Sequence, residues 1–152
     1  MAEKEDHNMT TQDNIATLRR FIDEMINQGN LAVIDEVLAP DLVEHEQLPT
    51  GITPGREGVR QLFSMLRAGF PDLRADIEQV VAQDDLVVLR MTWRGTHTGP
   101  VMGIPPTGKT VAWQVIDTMR VADGKVIEHW GMMDQFGLLS QLGAVPTPVA
   151  AS

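Results

Sequence analysis

The chain contains no cysteine and no tyrosine. The first absence excludes disulfides, thiolate metal ligands and thiol nucleophiles. It also fits a cytoplasmic protein. The second removes the phenol, a common proton and oxyanion donor, from the candidate chemistry. Positive charge is scarce as well: 12 Lys and Arg stand against 21 Asp and Glu, for a formal net charge of −9. Nucleic acid and anionic membrane surfaces call for a basic footprint, so neither is an expected partner. No window approaches the roughly 18 apolar residues of a membrane span. Residues Met1 to His7 are polar and lack the apolar core of a signal peptide.

What is present suits one globular domain. The 152 residues are 43% hydrophobic and 22% charged, enough for one sizeable core. We expect a disordered tail over residues 1–10, a single domain over 11–146 and a flexible C-terminus over 147–152. Thr10 and Thr11 are candidate N-caps. Leu18, Phe21, Ile22, Met25 and Ile26 then repeat as one helical face. Gly29-Asn30 ends that helix. Leu31, Ile34 and Leu38 mark a second, short helix closed by Ala39-Pro40, and Asp41 to His45 is a brief extended piece. Thr53-Pro54 reads as an N-cap and first-turn proline of a third helix, with Val59, Leu62, Phe63 and Leu66 on its apolar face and an end near Gly69.

From Leu73 the period changes to two. Strands are expected at 73–81 and from about Leu86 to Thr98, the second with Val87, Leu89, Met91 and Trp93 on one face. After a Gly/Pro-rich loop, two more strands from Val111 to Asp134 turn at Ala122-Asp123-Gly124, and a closing helical turn covers Gly137 to Leu142. Helices segregated from an antiparallel sheet indicate the α+β class. A bent sheet wrapped on the helices makes a cone with a pocket at its open end.

Two acids sit where an acid is costly. Asp117 is in register with Val111, Trp113, Val115, Met119 and Val121. Asp134 follows Trp130 and Met132 in what reads as an apolar register. A carboxylate on an apolar face must be paired, protonated or used. The competing structural role of Asp134 is to cap the closing helix. That of Asp117 is an ion pair with Arg90 or Arg120, although both arginines read onto the opposite strand face. His97 reads as a loop-stabilising residue. Gly103 to Thr110 matches the phosphate-loop spacing GxxxxGK[ST], but a strand follows it, and Pro105 and Pro106 lack the N–H groups that would cradle a phosphate. No HxH or HExxH spacing suggests a metal site.

Several segments together carry a family resemblance. They are FIDEMINQGNLAVIDEVLAPDLVEH (Phe21 to His45), THTGPVMGIPPTGKTV (Thr96 to Val111), VIDTMRVADGKVIEHWGMMD (Val115 to Asp134) and LLSQLG (Leu138 to Gly143). Over roughly residues 14–145 the chain resembles the SnoaL-like polyketide cyclases, also called ester cyclases. These belong to the nuclear-transport-factor-two-like superfamily, with ketosteroid isomerase, scytalone dehydratase and limonene epoxide hydrolase. The resemblance implies a cone-shaped α+β barrel around a deep apolar pocket. It further implies an intramolecular aldol cyclisation without cofactor or metal, and an aspartate near the end of the last strand as acid/base. That residue would be Asp134; limonene epoxide hydrolase also has a catalytic aspartate in the matching segment. By likeness to ketosteroid isomerase, Asp117 would donate to an oxyanion and His45 would take the place of the base. The missing tyrosine argues against steroid isomerisation.

The pocket wall expected on this basis comprises Trp93, Trp113 and Trp130, which could stack on a flat polycyclic ligand. Phe63, Met91, Met132, Gln114 and His129 complete it. The partners implied are a small apolar or polycyclic ligand and a second copy of the chain, docked through the sheet face as a homodimer or higher homo-oligomer. The alternatives are an epoxide-hydrolase-like hydrolase or hydratase, with Asp134 and Asp117 activating one water, and a non-catalytic binding or dimerisation module.

Overall fold

The structure, a computed structural model, describes residues 9–145. The tails expected at the two ends lie almost wholly outside these residues. Thr10 is a cap rather than tail: its hydroxyl accepts from Asp13 N–H at 3.1 Å and its own N–H donates to the Asp13 carboxylate at 2.8 Å. This capping box opens α1 (Thr11–Ile22). A π-helical turn, Asp23–Asn27, prolongs it. The five apolar residues of the expected face are all buried.

The second helix, α2, is shorter than expected. It covers Val33–Val37, and Leu38 already opens strand β1 (Leu38–Glu44). The third helix, α3 (Arg56–Gly69), begins later than Thr53-Pro54. Gly55 is its N-cap residue, at φ 84°, a backbone region that glycine enters without cost. Thr53 instead lies in the bend, where its carbonyl approaches Gly58 so closely that a Cβ there would collide.

Four long strands follow: β2 (Arg74–Gln83), β3 (Leu86–Thr96), β4 (Thr110–Ala122) and β5 (Lys125–Met133); α4 (Gln135–Gln141) closes the domain. The sheet order is β1-β5-β4-β3-β2. β2 to β5 pair antiparallel in succession, whereas β1 pairs parallel to β5. The α+β class holds, and the sheet is open, with β1 and β2 as its edges. The inner face carries Val87, Leu89, Met91 and Trp93 of β3 and Val111, Trp113, Val115, Met119 and Val121 of β4. They join the helices in one apolar core. Asp117 is on this face, only 7% exposed.

A bulge in β5 corrects the expected facing of the last strand. Val126 pairs with Val121, yet Glu128 pairs with Arg120, so Ile127 is an extra residue. One extra residue in a ladder of period two exchanges the faces beyond it. Val126 therefore faces inward with His129, Gly131 and Met133, while Glu128, Trp130 and Met132 face outward.

Candidate active site

Parallel pairing of β1 with β5 sets Glu44 opposite His129, and antiparallel pairing of β4 with β5 sets Asp117 opposite Gly131. Three inward side chains thus meet across β1, β5 and β4, towards the β1 edge of the sheet. His129 Nδ1 lies 2.7 Å from Glu44 Oε1, and its Nε2 lies 3.0 Å from Asp117 Oδ1. Burial pulls the His129 pKa down, but the hydrogen bonds and charges of Asp117 and Glu44 outweigh it and push the pKa up to about 10. His129 is therefore an imidazolium at neutral pH. Both of its N–H groups are engaged, so it has none to give a ligand. It acts as a fixed positive charge.

The next inward residue after Glu44 is Glu46. Its backbone N–H donates to Glu44 Oε1 at 2.9 Å, and its own carboxylate folds over β5 to within 4.0 Å of His129 Nδ1. Burial raises the Glu46 pKa, and the negative charges of Asp117 and Glu44 raise it further against the opposing pull of His129. With all three acids ionised, the cluster would carry two uncompensated negative charges. A proton on Glu46 removes one of them. Glu46 is also the most accessible of the four, its side chain 28% exposed against 14% or less for the others. The raised proton affinity and partial exposure together suit Glu46 to exchange a proton with a bound molecule.

Glu44, Glu46 and His129 also offer three ligand atoms within 4.8 Å of one another. Nitrogen and carboxylate donors of this kind suit a divalent transition metal. A cation there would have to displace the proton on His129 Nδ1. The grouping escapes a search for metal motifs because its members come from two strands and a loop.

The other expected site residues divide between the faces. His45, expected in the place of the base, faces outward: its ring stacks on Trp130 at 4.7 Å, and its Nε2 lies 2.7 Å from Glu128 Oε2. Arg120 pairs with Glu128 and Asp85 on that outer side, so the partner of Asp117 is His129 rather than an arginine. Gln114 and Met132 are outward and exposed, as is Asp134. Asp134 Oδ1 accepts from Gly137 N–H at 2.9 Å and caps α4. The apolar register expected for it ends at the bulge. Trp93, Trp113, Phe63 and Met91 do face inward, but they are packed together in the core, with Phe63 and Trp93 centroids 5.6 Å apart and Trp93 and Trp113 6.2 Å apart. An open groove of about 410 Å³ lies elsewhere, lined by Gly51, Ile52, Glu57, Arg60, Gln61, Ser64 and Met65, and includes none of the cluster.

Glu44 and Glu46 were not anticipated. The signal was available: both continue the register of buried Leu42, as Asp117 continues that of its apolar neighbours.

Comparison with known proteins agrees with this architecture. The family model of the SnoaL-like polyketide cyclase matches residues 16–142. The nogalonic acid methyl ester cyclase of Streptomyces nogalater is 32% identical over 119 residues, 77% of this chain and 88% of the relative. The aklanonic acid methyl ester cyclase DauD of Streptomyces sp. (strain C5) is 28% identical over 84% of this chain and 83% of its own length. Among solved structures, AclR of Streptomyces galilaeus superposes with a TM-score of 0.81 at 28% identity, over 93% of this chain and 91% of its own. With a family match that takes in nearly all of the described residues, the chain belongs to the SnoaL-like polyketide cyclase family.

Proposed function

We propose that the protein is a cyclase that closes a ring in an apolar polycarbonyl compound by an intramolecular aldol step. A carboxylate removes a proton from the carbon α to one carbonyl. The resulting enolate carbon attacks a second carbonyl of the same molecule, and the alkoxide formed there takes back a proton. No electron leaves or enters, so the step needs no redox partner. The observation that carries this reading is Glu46: a half-buried carboxyl with a raised pKa, held on the inner face beside a permanent cation. Glu46 would move the proton. The imidazolium of His129, fixed by Asp117 and Glu44, would lower the energy of the nearby enolate through space. Asp117 would act as the positioning acceptor for His129, and the exposed cap Asp134 would have no part in proton transfer.

The test uses nogalonic and aklanonic acid methyl esters, the compounds after which the two relatives are named. Replacing Glu46 by Gln is expected to lower kcat by about 10²–10⁴-fold, the usual range for a general acid–base group, with little change in KM. An undiminished rate in that variant would end the assignment. The hydrolytic alternative needed Asp134 and Asp117 to converge on one water, and the two lie on opposite faces of the sheet.

The same reading includes a homodimer. The outer sheet face presents Val43, Ile116 and Met132, with Met132 76% exposed. An apolar face of that kind favours self-association. A cytoplasmic location is also part of the reading, in keeping with an acidic chain that has no cysteine.

A further inference from the structure

Gly131 lies on the inner face of β5, directly opposite Asp117. A Cβ built on it would run into Glu46 Oε2 and come within 2.8 Å of His129 Cε1. Its φ is not positive, so the backbone conformation does not call for glycine here. The space does. The carboxylate of Glu46 fills the volume that a side chain of β5 would otherwise occupy, next to Asp117 and His129.

We propose that Gly131 is a positioning residue for proton transfer: its lack of a side chain admits the Glu46 carboxylate, carried on the connection from β1 to α3, to the inner face of the sheet. This rests on the role proposed above for Glu46. The proton-transferring group is thereby supplied by a loop laid across the strand, not by the strand itself. Even a methyl group at 131 would push that carboxylate outward, away from the burial and the acidic neighbours that raise its affinity for a proton.

The experiment compares the wild type with Gly131→Ala, Glu46→Ala and the double variant. Three measurements are made: the Glu46 titration, followed by NMR of 13C-labelled glutamate carboxyls and identified by its loss in Glu46→Ala; kcat and KM on nogalonic acid methyl ester; and the melting temperature. Gly131→Ala is expected to move the Glu46 titration down towards that of ordinary glutamate and to lower kcat about 10²-fold with KM nearly unchanged. In the Glu46→Ala background the clash with the carboxylate is gone and only the close approach to His129 Cε1 remains. There, Gly131→Ala should lower the melting temperature less than it does in the wild type. A Gly131→Ala variant that keeps the wild-type titration and rate overturns the inference. So does one that is as destabilising with alanine at 46 as it is in the wild type, since Gly131 would then make room for His129 and not for Glu46. Full activity of Glu46→Ala would instead refute the role of Glu46, while the titration still reads the placement of its carboxylate.

Discussion

At the scale of single residues, folding changes the proton affinity of His129 and Glu46 in the same direction. The pKa of His129 rises from 6.5 to about 10. Its contribution to stability is therefore complete below about pH 6.5 and is lost as the pH climbs through 10. Glu46 is also raised, from 4.5. Its protonated form favours the folded state, so the ionised form opposes folding at higher pH. Calorimetry should show Glu46→Gln melting above the wild type at pH 8 and level with it near pH 4. A lower melting temperature at pH 8 would mean that the carboxylate is stabilising and the cluster is wired differently. The stability gap between wild type and His129→Gln should narrow between pH 7 and pH 10. A constant gap would contradict the imidazolium. These residues also show why the candidate site is only partly legible in the sequence. Asp117 announced itself as an acid in an apolar strand. His129 read only as pocket wall, because the acids it meets lie on other strands, and Glu46 lies beyond the end of β1, where the strand register is no longer an obvious guide.

At the scale of elements, local patterning was a reliable guide where one face is buried and unreliable where a single residue changes phase. The faces of α1 and β3 followed their spacing, because a run of apolar residues at 3.6 or 2 can be buried in only one way. The start of α3 did not, because Thr53 is drawn into a bend that closes on Gly58. The last strand did not either, because Ile127 is extra. Asp134 is a product of that phase change. Beyond the bulge it meets α4 from outside and caps it. Its replacement by Ala should cost about 1 kcal/mol of stability, as other lost caps do, and leave kcat on the ester substrates intact. A large loss of rate with normal stability would return to Asp134 the proton-transfer role that the resemblance suggested.

At the scale of the whole molecule, the open sheet has two faces with different fates. The inner one is filled by the core and the charged cluster. The outer one exposes Ile116 and Met132, which are cross-strand neighbours. Ile116→Lys with Met132→Lys should convert a dimer to a monomer in sedimentation velocity. A wild type that sediments as a monomer would remove the dimer from the proposal.

The sequence by itself determined the fold class, the main helical and strand faces and the family, since each rests on many residues that agree. It also marked Asp117, because a buried acid breaks a pattern visible along the chain. Only the tertiary structure decided which charges meet. The pairing of β1 with β5, the bulge at Ile127 and the open space at Gly131 join residues far apart in the chain. Hydrogen bonds and Coulomb forces act over a few ångströms of space, a distance that residue spacing does not encode.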